Sequence, residues 1–242
     1  TWNDEPNDSA DYLYTRLEDM VHTTTSAFLG LTVKCARCHD HKFDPILQSD
    51  YYRIASFFWA GHIGQANQGG PTEKDLGFNV YGWTDKNAKP PPIHLLINGE
   101  RHKPGPEIAP GFLSAVTTLN KALSTPPPNS KTTQRRLQFA KWITDSRNPL
   151  TARVLVNRLW QHHFGQALVR TPNNFGYKSD PPTHPKLLDW LAAESMEPTT
   201  GGGAPWTLKR LHKLIMMSDA YQQQSVHPQE AKYAQRDFLN RN

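Results

Sequence analysis

Apolar positions recur at spacings of three and four along the first stretch of the chain. Tyr12, Leu13, Leu17, Met20 and Val21 fall on one face, which predicts a helix over 9–34 capped by Asp8 or Ser9. "SDYYRIASFFWA" follows, with Tyr52, Ala55 and Phe58/Trp59 on one side and Ser49 or Asp50 as a cap, and predicts a second, aromatic helix. Over 61–92 the pattern breaks into "NQGGP" and "KPPP" and reads as loop. "IHLLING", 93–99, is the best strand candidate, with a turn at Asn98-Gly99.

The second half is more regular. Residues 132–144 read as a helix burying Leu137, Ala140 and Trp142/Ile143. Residues 148–165 read as another, with Pro149 near its start, a stripe of Leu155, Leu159 and His163, and Gly165 as a stop. "THPKLLDWLAAE" has Thr183 as a cap and Pro185 in its first turn. A glycine-rich tip then leads into a helix with Leu208, Leu211 and Ile215 inward. Trp160, Trp190, Trp206, Met216 and Met217 read as core. The expected fold is a mainly α, loop- and proline-rich helical protein with very little β. "STPPPNS" places a boundary at 125–131, dividing the chain into 1–125 and 132–242.

Composition agrees with that picture. Twenty prolines in 242 residues exceed the usual share of about 5% and call for long ordered loops. The net charge of +5 is scattered, so no segment reads as a nucleic-acid arm. No run approaches the roughly 18 apolar residues of a membrane span. The chain opens at Thr1 and ends on "AQRDFLNRN" as a new helix starts, which reads as a piece of a longer protein.

Both cysteines of the chain fall in "LTVKCARCHDHKFDPI". On a helix, Cys35, Cys38 and His39 share a face. C-x-x-C-H is the attachment pattern of c-type haem: two thiols one turn apart each form a thioether, and the next residue offers an imidazole to the iron. Three other readings stay open. A disulfide-redox pair needs a thioredoxin-like pattern that is missing here. Zinc held by Cys35, Cys38, His39 and His41 has the right ligand types but poor spacing. The third reading has no cofactor, only two structural cysteines. Lys34, Arg37 and Lys42 are candidate partners for haem propionates. Asp40 and Asp44 are candidates to orient His39 or His41. His41 is too close in sequence to reach the far face of a haem. His22, His62 and Met20 are therefore the candidate distal ligands, beside an open or water-held position.

"FLGLTVKCARCHDHKFDPILQSDYY" closely resembles the signature of the planctomycete cytochrome C-like domain of the second type. "NPLTARVLVNRLWQHHFGQALVRTPNNFGYKSDPPTHPKLLDWLA" and "WTLKRLHKLIMMSDAYQQQS" resemble the start of the planctomycete-specific domain that commonly follows it. The resemblance implies a fragment of a large exported protein, periplasmic or in the cell envelope. It implies haem c on the same motif, with a redox partner protein or neighbouring domains of the same chain as partners. The leading expectation is covalent haem binding and electron transfer. The alternative is a non-haem structural or binding module of an envelope or polysaccharide-processing system, with zinc or nothing at the cluster. Whether the protein is an enzyme is left open. No Ser/His/Asp set or phosphate loop stands out.

The remaining candidates lie in the second half. Arg153, Asn157 and His162 can share a polar helix face beside His163, with Asn173, Asn174, Asp180 and His184 following. They read either as a polar pocket or as loop-fixing hydrogen bonds. Trp2, Trp59 and Trp83 are candidates for ligand stacking.

Overall fold

The computed structural model describes residues 9–65, 77, 81–85 and 88–223. Among them the chain is mainly α-helical, as the periodicity predicts. In chain order it forms α1 (Ser9–Leu29), α2 (Gln48–Trp59), β1 (Gly61–Gln65), β2 (Tyr81–Asp85), β3 (Ile93–Leu96), β4 (Pro104–Ile108), α3 (Arg135–Ile143), α4 (Thr151–Phe164), α5 (Pro185–Met196) and α6 (Leu208–Met216). Short 3-10 helices cover Val33–Arg37, Ile97–Gly99 and Thr117–Leu119. Two compact units result, one of Thr1–Thr25 with Thr32–Arg147 and one of Ser26–Leu31 with Asn148–Asn242.

In the first unit, α2 is fixed at its start by Asp50. Its carboxylate accepts from the Leu47 backbone N–H at 3.2 Å and from Ser114 N and Oγ at 3.1 and 2.7 Å. The aromatic face of α2 then builds a ring stack. Phe57 stacks on Phe139 with centroids 4.7 Å apart, and Phe112 stacks on Trp142 at 5.3 Å. Burying a side chain of this size contributes about 2 kcal/mol. Phe139 and Trp142 belong to α3, so this helix packs with the first unit. The compact division therefore falls between Arg147 and Asn148, beyond the expected 125–131. The stack also sets the roll of α3: Leu137 and Ala140, expected inside, are exposed.

β1 pairs antiparallel with β2, Gly61 opposite Asp85, in a stretch that the sequence reads as mostly loop. Each strand carries glycine, which weakens the strand signal. Asp85 is buried and accepts from Thr133 N and Oγ1 at 2.8 and 2.7 Å, with Arg136 3.0 Å away. β3 pairs antiparallel with β4. β3 lies where expected and ends in a turn with Asn98 and Gly99 at positive φ.

In the second unit, Gly30 terminates α1 at φ +62 and its carbonyl accepts from Phe175 N at 2.6 Å. A Cβ there would press on Phe175 and Val154. Val156, Leu159, Leu168, Leu188, Leu191 and Leu211 form the buried core. Arg158 donates to the carbonyls of Ser26 and Ala27 and to Asn173 Oδ1 at 3.0 Å. Gly165 stops α4 at φ +80, as expected. Leu211 and Ile215 of α6 point inward, but Leu208 is half exposed.

Candidate functional site

The cysteine turn is a 3-10 helix and not a continuation of α1. Val33 and Ala36 are buried, while Cys35 and Cys38 are exposed and free. Cys35 lies within this helix, and Cys38 is the residue just past its end, at φ −103 and ψ −25. The turn is held from several sides. The Arg37 carbonyl accepts from Gln48 Nε2 and Tyr52 Oη, each at 3.0 Å, and Gln48 Nε2 also reaches the Leu96 carbonyl at 2.9 Å. Burial pushes Tyr52 up to about 12, so it stays a phenol donor. Cys38 Sγ packs against Gly99, where a Cβ would overlap it.

Glu18 on α1 gathers the nearby cations. It binds Lys34 Nζ at 2.6 Å and pairs with the Arg37 guanidinium. Burial works to raise the Glu18 pKa, but the bond to Lys34 and the charges of Arg37 and Lys34 hold it below the usual range. Arg37 also reaches the Gly99 carbonyl at 3.3 Å. Lys34 and Arg37, expected to meet propionates, are thus engaged with Glu18. The Lys42 ammonium lies over the Phe43 ring at 5.3 Å.

His39 and His41 adopt opposite roles. Nδ1 of His39 is 2.6 Å from the Asp40 carbonyl. A carbonyl only accepts, so Nδ1 carries the proton and the exposed ring offers its Nε2 lone pair. His41 turns inward. Its Nδ1 accepts from Asp44 N at 2.9 Å and Phe43 N at 3.3 Å, which leaves Nε2–H to donate to Thr32 Oγ1 at 3.0 Å. Both nitrogens of His41 are occupied in fixing the loop. Among the described residues no group of three or more His, Cys, Asp or Glu is disposed to hold a metal ion, so Cys35, Cys38, His39 and His41 do not converge on one point. Asp40 orients His39 through its backbone carbonyl, and its carboxylate accepts from Gln48 N at 2.7 Å at the start of α2. Asp44 Oδ2 is 3.5 Å from His41 Nδ1.

His22 and Met20 lie half-buried on α1. His62 belongs to β1, and its side chain lies outside the described residues, as do those of Trp2 and Trp83. Trp59 is a packing residue: it faces Tyr14 at 5.4 Å and donates to the Pro91 carbonyl at 3.1 Å.

Of the two readings of the polar residues on and after α4, the structure shows loop-fixing hydrogen bonds and no shared polar face. Arg153 turns to Asp189 at 2.7 Å, Asn157 turns into the core, and His162 is exposed. Asn157 bonds Val169 in both directions, N–H to Oδ1 at 2.7 Å and Nδ2 to carbonyl at 3.0 Å. Asn173 binds Arg158, Asn174 Oδ1 accepts from Gly176 N at 3.0 Å, and His184 Nδ1 meets Thr183 Oγ1 at 3.0 Å. Asp180 is exposed. His163 Nε2 instead meets His212 Nδ1 at 2.8 Å, with Tyr221 edge-on to the His163 ring. Sequence reasoning missed this pair because its members are 49 residues apart. Burial first, then the neighbouring His212 and His162, hold the His163 pKa down. Met216 and Met217 are exposed and not core, and Trp190 is 44% exposed.

Residues 1–62 match the family model PSCyt2, a protein of unknown function (DUF1549). Residues 135–242 match PSD1, also a protein of unknown function (DUF1553). The chain carries the PSCyt2 and PSD1 domains in tandem. This is the planctomycete pair that the sequence resembles. No curated protein and no solved structure matches significantly. The cysteine turn and both of its histidines lie in the PSCyt2 match. The PSD1 match starts at Arg135, the first residue of α3, whereas the second compact unit starts its main run at Asn148. α3 is thus PSD1 by sequence and part of the first unit by packing. No helix among the described residues is long and apolar enough to cross a membrane.

Proposed function

We propose that the PSCyt2 domain is a c-type-cytochrome-like module that carries covalent haem on Cys35 and Cys38, with His39 as its iron ligand, and serves electron transfer in an exported protein of the cell envelope. The observation that carries this reading is two exposed, free thiols three residues apart in sequence, followed by an imidazole whose Nδ1–H is fixed on the Asp40 carbonyl. The donor set supports this reading: two exposed thiols, one within the 3-10 turn and one just past its end, and one ring nitrogen with its lone pair outward. Bound there, haem supplies a one-electron couple. The chain supplies a rigid platform. Gln48, Tyr52 and Glu18 fix the turn, and the hydrogen bond to Asp40 sets the His39 tautomer, as outer partners of metal-bound histidines do. Phe43, Leu47 and Ile97, from segments tied to this turn, are about half exposed and offer apolar surface for a macrocycle edge or for the redox partner.

The second reading is a haem-free module in which the cysteines are structural. The packing of Cys38 against Gly99 favours it. Expression in a host that attaches c-type haem separates the two. The first reading expects a Soret absorption that His39→Ala perturbs and His41→Ala leaves in place. Colourless protein with two titratable thiols refutes it.

A further inference from the structure

Trp160 on α4, Leu187 and Trp190 on α5, and Leu214 and Met217 at the end of the chain's α6 line an open cleft of about 500 Å³ in the second unit. That volume falls within the roughly 300–1,000 Å³ of small-molecule sites. Two indole rings together with aliphatic and thioether chains make the lining apolar, and Trp190 and Met217 are 44% and 65% exposed. Its charge has one sign. Arg210 and Lys213 line the cleft, and no Asp or Glu does. Arg210 is already neutralised, since it pairs with the buried Glu194 and donates to the Thr200 and Gly202 carbonyls. The exposed Lys213 ammonium has no ion-pair or hydrogen-bond partner among the described residues. Side-chain hydroxyls come only from Thr200 and Ser218, too few to recognise a sugar.

We infer that this cleft binds an amphiphilic carboxylate, with its flat or short-chain apolar body against Trp160 and Trp190 and its carboxylate on Lys213. The apolar wall supplies affinity and the single unpaired cation supplies orientation. The inference is independent of haem on the PSCyt2 domain.

Calorimetric titration of the whole chain with 2-naphthoate and with neutral 2-naphthamide tests it. 2-Naphthoate should bind at one saturable site, more tightly than the amide. Lys213→Gln should weaken 2-naphthoate by about tenfold, the scale of one lost hydrogen bond to a charged group, and leave 2-naphthamide unchanged. Trp190→Ala should weaken both probes. Lys209→Gln, an exposed position on α6 outside the cleft lining, should change neither. Circular dichroism reads whether each variant keeps its helices, and the surface position of Lys213 keeps the test decisive if Trp190→Ala unfolds. Absence of saturable 2-naphthoate binding, equal affinity for the two probes, or indifference to Lys213→Gln would overturn the inference.

Discussion

Glu194→Gln should destabilise the second unit and make its acid response flatter. The Glu194 carboxylate is 2% exposed and the Arg210 side chain 11%. Beyond Arg210, the carboxylate accepts from Thr199 N at 2.9 Å, Thr199 Oγ1 at 2.7 Å and Thr200 N at 2.7 Å. It thereby ties 199–200 to the end of α5. Glutamine keeps one acceptor oxygen but removes the charge, so a buried guanidinium loses its counter-ion. Breaking such a pair on one side costs about 3–5 kcal/mol. Arg210 keeps three carbonyl partners, of Glu194, Thr200 and Gly202, so about 2–3 kcal/mol is expected. For a unit of this size that lowers Tm by roughly 10 °C. The pH dependence has a definite sign. Burial works to raise the Glu194 pKa, but the bonds from Thr200, Thr199 and Arg210 hold it down to about 2. The stabilisation is therefore complete above the ordinary carboxylate range and is lost as pH falls toward 2. Urea denaturation of wild type and variant from neutral pH down to pH 3 reads both effects. The gap between the two proteins should narrow as the solution becomes acidic. A gap under about 0.5 kcal/mol at neutral pH, smaller than one net hydrogen bond, or one independent of pH, refutes the reasoning.

Two other substitutions probe separate parts of the chain. Asn157→Ala orphans the buried N–H and carbonyl of Val169 and should cost about 2–3 kcal/mol in thermal or urea unfolding, whereas a functional-pocket role would leave stability near wild type. Gly99→Ala places a Cβ at φ +72 against Cys38 Sγ. It should cost about 1–2 kcal/mol for the left-handed backbone and, in protein made without haem attachment, shift the thiol-reagent reaction rate of Cys38 relative to Cys35. Unchanged rates for both thiols would show that the contact does not hold Cys38.

Helix existence was legible because α1, α2, α4 and α5 repeat their apolar positions at helical spacing. Gly165 and Pro185 also mark their ends as local chemistry predicts. The roll of α3 was not legible. Leu137 is as apolar as Phe139, and only the distant Phe57 and Phe112 decide which of them turns inward. The same tertiary cause moved the compact boundary past α3. The β1–β2 pair escaped because glycines dilute its alternation. At the site, C-x-x-C-H picks out three candidate donors on an α-helical spacing, whereas the turn is 3-10 over Val33–Arg37 with Cys38 just past its end. His39 and His41 look alike in sequence. Only the carbonyl of Asp40 and the backbone N–H groups of Phe43 and Asp44 give them opposite tautomers. Asn157 reads from sequence as pocket-lining or loop-fixing, and the structure shows the second. Its partner, the Val169 backbone, has no sequence signature.

Covalent haem on Cys35 and Cys38 is the central claim, and the intact mass of the denatured protein tests it most directly. The chain is purified from a host that matures c-type cytochromes, unfolded, and weighed beside Cys35→Ser and Cys38→Ser. The account predicts wild type heavier by one haem, with neither thiol open to alkylation, and a double substitution at the apoprotein mass. Wild type at the apoprotein mass with both thiols alkylated would contradict it.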